Sequence, residues 1–144
     1  MKKPSSRLLP LAAALAVFIT TPAVKAQNFC SNATMSGTYV VSATGTVNTS
    51  GGPVAITVVG KVTYFGDGTG KVTASTTSTG GAVSRISAPV AGTYTVNSDC
   101  TGSKILGGTH YDFVISPNGR VINWIITESG VTVSGTGVRL DNQS

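Results

Sequence analysis

Histidine and tryptophan occur once each in these 144 residues, cysteine twice, and charged side chains make up only 10% of the chain. Each scarcity excludes something. Two cysteines and one histidine cannot assemble an ordinary four-ligand zinc site, so no metal is expected. No Gly-rich loop runs into a helix, so no phosphate-cradling cofactor site is expected either. No nucleophile motif surrounds any Ser or Thr. After Ile19 no apolar run approaches the ~20 residues of a membrane span. Strong helix formers are sparse beyond the first 26 residues, which argues against a helical fold.

The first 26 residues stand apart. Lys2, Lys3 and Arg7 precede the apolar run Leu8–Ile19, and Val24-Lys25-Ala26 places small residues where a signal peptidase reads. This is the pattern of a secretory signal peptide cleaved after Ala26, and it predicts a secreted or periplasmic protein. It also accounts for much of the basic charge. Lys61, Lys71, Arg85, Lys104, Arg120 and Arg139 remain against Asp67, Asp99, Asp112, Glu128 and Asp141, a formal charge of +1 for residues 27–144. No basic patch is left to recruit nucleic acid.

What is abundant is Thr, Val, Gly and Ser, the residues of strands and turns. Residues 27–144 suit one domain with one core. Tyr39, Val41, Ala43 and Val47 alternate on one face of a first strand, and Val54, Ile56, Val58, Val62 and Tyr64 on one face of a second. Gly60 in the middle of the second marks a bulge or bend. Gly66-Asp67-Gly68 predicts a type I′ hairpin. Polar strands follow over Lys71–Thr79 and Ala82–Ala88, the latter ended by Pro89. Val90–Asn97, Ser103–Leu106 and Thr109–Ser116 come next, with Tyr111, Phe113 and Ile115 sharing a face. Val121–Thr127 is apolar on both faces and reads as the most buried strand. Val131–Leu140 is the last, and no helix is expected after residue 26.

Eight or nine strands joined by short hairpins predict an all-β fold: a single antiparallel up-and-down β-barrel of about eight strands over residues 27–144. The alternative is a β-sandwich. Closure is preferred because an open sheet of this size leaves two edges to protect.

In an exported chain Cys30 and Cys100 are expected to form a disulfide, within one chain or between two; free thiols are the alternative. Asp99 reads as a turn residue capping local backbone N–H groups. Tyr39, Tyr64, Tyr94, Tyr111, Phe113 and Trp124 are candidates to line a ligand cavity, or simply to fill the interior. His110 and Asp112, two residues apart on one strand face, are the weak catalytic candidates. The plainer reading, a polar pair facing solvent, is preferred. Arg85 is expected to face outward, where it discourages sheet pairing.

The layout resembles two barrel families. Gly37-Thr38-Tyr39 on the first strand with Arg139 on the last is similar to the lipocalin-like (calycin) pattern, in which a Gly-x-Trp packs beneath an Arg from the last strand. Here Tyr replaces Trp, and the family's C-terminal helix is missing. The repeated Gly-Thr-Tyr strand starts, Gly37-Thr38-Tyr39 and Gly92-Thr93-Tyr94, resemble the allene-oxide-cyclase-like barrel. Cyclases of that kind imply a polar residue and bound water inside a hydrophobic barrel, and no motif here allows those residues to be carried over. Either resemblance spans most of residues 34–140.

The function expected is binding of a small, mostly apolar molecule without transforming it, with no cofactor. Two rivals are a cyclase or isomerase acting inside the barrel, and a structural or interaction module of the cell envelope or matrix.

Overall fold

The structure, a computed structural model, describes residues 29–141. The predicted signal peptide lies outside them. Nine strands follow in chain order: β1 (Ser36–Thr49), β2 (Gly52–Phe65), β3 (Thr69–Thr79), β4 (Ala82–Arg85), β5 (Val90–Val96), β6 (Thr101–Leu106), β7 (Thr109–Ile115), β8 (Val121–Ile126) and β9 (Val131–Arg139). All pairings are antiparallel, and the ladder runs β2-β1-β9-β8-β7-β6-β5-β3 and closes through β3 onto β2. Eight strands therefore form a closed barrel, which excludes the sandwich. The ninth, β4, pairs with the far half of β3 alone, Thr76–Thr79.

Alternation builds the wall. Tyr39 and Ala43 of β1, Val62 and Tyr64 of β2, Phe113 and Ile115 of β7, and Ile122 and Trp124 of β8 all point inward and are buried. The apolar residues between them face out. Val121 and Ile125 are exposed, so β8 does not bury both faces as its composition suggested. A barrel has one interior, and an antiparallel wall tolerates scattered apolar residues outside.

The irregularity expected at Gly60 falls one step away. The register of β2 against β3 shifts after Lys61, leaving Thr73 of β3 as the extra residue of a bulge. Gly60 itself serves close approach, since a Cβ there would sit 2.6 Å from the Ala74 carbonyl oxygen. The bulge lets β3 change neighbours. Thr69–Val72 pairs with β5 and Thr76–Thr79 with β4. β4 is shorter than the predicted Ala82–Ala88 strand because the chain leaves the sheet after Arg85. In register with Thr76, Arg85 lies on the outward face with Val59, exposed to solvent.

One end of the barrel is plugged. The segment before β1, with a short 3-10 turn at Asn32–Thr34 that the sequence did not suggest, folds across it and buries Met35 completely. Asn32 Oδ1 accepts from the Val96 backbone N–H at 2.8 Å. The Cys30–Cys100 disulfide ties this plug to the β5–β6 turn within one chain, with Cα atoms 5.0 Å apart. Tyr94 completes it: its hydroxyl accepts from Gly66 N–H at 2.9 Å and lies 2.8 Å from the Met35 carbonyl and 3.0 Å from that of Asn32. Tyr94→Phe should therefore lower unfolding stability by about 1–3 kcal/mol, because buried groups lose their partner. A urea melt unchanged from that of the parent would remove the phenol from this role.

Three turns at the plugged end share one construction. Asp67 and Asp99 each accept, through Oδ1, from both the backbone N–H and the hydroxyl of the Thr two residues on. Asn118 Oδ1 does the same for Arg120 N–H. The residue between is left-handed each time: Gly68 at φ +95°, Gly119 at +68° and Cys100 at +69°. The Gly66-Asp67-Gly68 turn is thus not type I′, which would need positive φ at Asp67. Gly66 and Gly68 take the positive angles instead, and Asp67 uses its side chain.

Candidate functional site

Strand β6 reads Thr-Gly-Ser-Lys-Ile-Leu, and its inward face carries Gly102, Lys104 and Leu106. Lys104 is 4% exposed, the one buried charged residue among those described. Its Nζ donates to the Tyr64 hydroxyl at 2.9 Å. Aromatic faces surround it: the centroids of Tyr111 and Trp124 lie 5.1 Å from Nζ, and that of Tyr64 5.6 Å. Tyr111 and Trp124 meet edge to face, as do Tyr64 and both Tyr39 and Tyr94.

The charge has no acidic counterpart. Asp67, Asp99, Asp112, Glu128 and Asp141 are all the carboxylic side chains of the chain, and none of them is buried. Among the described residues Lys104 makes no ion pair. Burial therefore dominates and pulls its ammonium down to about 7. The ring faces favour the charged form and oppose that shift. Burial also raises the phenol of Tyr64, with the neighbouring tyrosines Tyr39, Tyr111 and Tyr94 adding to it, so the hydroxyl stays protonated.

Beside Lys104 is a cavity of about 80 Å³. Its wall is mainly aliphatic (Val41, Val58, Val62, Val72, Leu106), with Tyr111 and Trp124 on one side and Gly60, Ala74 and Ser75 at the β2–β3 bulge. The indole Nε1 of Trp124 is buried without a hydrogen-bond partner among the described residues. An unmet buried donor costs about 1–3 kcal/mol. An ammonium has three donors, and Lys104 uses one on Tyr64. Unspent hydrogen-bonding capacity thus collects in one apolar part of the interior. Two larger depressions, of about 420 and 630 Å³, lie along the outer wall, where Ser, Thr and Asn residues line them together with Gly135 or Gly102, and Trp124 borders both. They gather no buried charge.

The six aromatic candidates divide. Tyr111 and Trp124 line the cavity and Tyr64 reaches it through Lys104. Tyr94 is committed to the plug, and Tyr39 donates its hydroxyl proton to the Gly119 carbonyl at the same end. Phe113 packs against Gly102, where a Cβ would come within 2.4 Å of its ring. None of these three lines the cavity. Arg139 pairs in register with Tyr39, its side chain lies against Gly37, and its Nη2 donates to the Asn118 carbonyl at 3.2 Å.

His110 and Asp112 do not form a pair. They lie on the outer face of β7, and the partner of His110 is Glu128, whose Oε1 is 2.7 Å from Nδ1 and also accepts the His110 backbone N–H at 2.9 Å. Those two bonds hold the Glu128 carboxyl below the usual range. Both side chains are more than 40% exposed, so the imidazole is a surface group. Lys104 was the residue that sequence reasoning missed. The signal was its position two residues from Leu106 on an alternating strand, masked by Ile105 on the opposite face.

Fold and site together define a closed eight-stranded barrel with one plugged end and a lysine buried among aromatic rings beside a small cavity. No protein-family model matches this chain, and no curated protein or solved structure is significantly similar to it.

Proposed function

We propose that this protein takes a small, mostly apolar molecule into its barrel interior and holds it against Trp124, Tyr111 and Lys104. The observation that carries the reading is the cavity itself: an apolar wall with one convergent polar group, the usual make-up of a ligand site. Its volume favours a guest of about five heavy atoms, given that one water-sized atom needs roughly 15 Å³ of such a cavity. Burying four or five methylene-sized groups at about 0.8 kcal/mol each places Kd on the order of 1 mM.

Trp124 is the only tryptophan of the chain and lines this cavity as well as the two outer-wall depressions, so the dependence of its fluorescence on guest size is what singles out the small interior site. Titration with short alcohols should give a saturable change that fades as the chain lengthens. A linear, unsaturable response to every member would remove the reading. The rival supported by an observation of its own is an isomerase or cyclase. A lysine near neutrality beside a protonated phenol is suited to proton transfer at pH 7. Under that reading Lys104→Met would abolish turnover of a bound substrate while leaving its affinity within a few-fold.

A further inference from the structure

We propose that Lys104 is an imine-forming site for short apolar aldehydes, an inference that rests on the interior binding reading and names its ligand class. The geometry argues for it in three ways. Nζ stands at the cavity wall, fixed by the 2.9 Å bond to Tyr64 and by ring faces on two further sides. The surrounding wall offers no carboxylate from any packed strand; the ionisable groups facing Nζ are the phenols of Tyr64 on β2 and Tyr111 on β7. The donors that an ammonium would leave unmet there disappear once the nitrogen becomes an imine.

The chemistry balances without any further reactant. The neutral amine attacks the carbonyl carbon and forms the C–N bond. The carbonyl oxygen collects the two hydrogens of the amine and departs as water, leaving C=N, with no change of oxidation state. Tyr64, protonated and hydrogen-bonded to Nζ, is the nearest group able to pass a proton to the departing hydroxyl. Burial supports the same chemistry by holding the amine near neutrality at pH 7. An apolar wall also disfavours the water that would hydrolyse the product. The cavity limits the guest to a short carbon skeleton.

The test uses the purified protein, isobutyraldehyde and cyanoborohydride at pH 7, with the reduced adducts mapped by peptide mass spectrometry. Lys61 and Lys71, on the outer wall and accessible, are the references. Lys104 should be alkylated at least about tenfold faster than either, because far more of it is unprotonated. The rate at Lys104 should saturate with aldehyde, and isobutanol should compete. Pyridoxal phosphate, too large and too charged for the cavity, should reverse the order. If isobutanol changes Trp124 fluorescence saturably and longer alcohols, which only the outer depressions could hold, do not, but adducts form on Lys61 and Lys71 alone, the imine proposal fails and interior binding stands. If neither occurs, both fail. Mapping on the parent protein makes the result independent of whether Lys104→Met folds.

Discussion

Resistance to urea should rise, not fall, as pH increases from about 7 to about 10, and Lys104→Met should abolish the rise. In the unfolded chain a lysine stays protonated to about 10.4. In the barrel burial lowers Lys104 to about 7. Across the interval the unfolded state binds the extra proton, so stability climbs with pH. Read downward, stability is lost as pH falls through that window and is lowest below 7. A displacement of this size corresponds to something on the order of 4–5 kcal/mol over the whole interval.

The tyrosines limit the climb from above. Burial raises Tyr39, Tyr64, Tyr94 and Tyr111, so beyond about pH 10 the unfolded chain loses phenolic protons first and stability declines. The lowered carboxyls, Asp67, Asp99 and Glu128, titrate well below the window. Lys104→Met keeps length and flexibility but removes the buried charge. It should be more stable than the parent by about 2–4 kcal/mol at pH 6, after about 1 kcal/mol is lost for the Tyr64 hydroxyl left without its partner. At pH 10 only the loss at Tyr64 remains, and the variant should be about 1 kcal/mol less stable than the parent. Parallel urea profiles from pH 6 to 10 would show that Lys104 is not buried as a reluctant cation.

Breaking the disulfide should have a similarly large effect, and the choice of replacement should matter at one end only. Cys30 and Cys100 are 70 residues apart. Closing a loop of that length stabilises a fold by about 4 kcal/mol in the chain-entropy model. Cys30→Ser with Cys100→Ser should lose most of that and loosen the plug. Position 100 holds φ +69°, where the matching turns at Gly68 and Gly119 use glycine. Cys30→Ser with Cys100→Gly should therefore recover about 1 kcal/mol relative to the double serine variant, as a side chain with a left-handed backbone costs roughly that much. Equal melts for the two variants would show that the turn relaxes once the bridge is gone.

The sequence carried the period-2 signal strongly wherever inward residues were large. Tyr39, Ala43, Val62, Tyr64, Phe113 and Ile115 all lie on the faces their alternation assigned. It failed where composition and direction conflict. Val121–Ile126 looked buried on both sides because exposed Val and Ile are indistinguishable from core residues in the chain alone. Lys104 looked like a surface residue because a charge is ordinarily placed outside, and only the Tyr111, Trp124 and Tyr64 rings, brought together from β7, β8 and β2, make its inward position tolerable. His110 and Glu128 lie 18 residues apart, so their contact depends on a strand register that local pattern does not reveal.

The shared edge of β3 bears on how anything reaches the interior. Pairing with β5 ends at Val72 and pairing with β4 begins at Thr76, so Thr73–Ser75 lies between two neighbours, crossed by the Ile86 N–H bond to the Ser75 carbonyl at 3.2 Å. Ala74 and Ser75 also line the cavity beside Lys104. The barrel is therefore closed, but on this side of β3 its ladder is interrupted between two neighbours. Under the interior-binding proposal, a guest passing there would not have to dismantle a strand ladder or displace the plug, and the spacing of β3 from β4 and β5, more than the barrel's mouth, would set what is admitted.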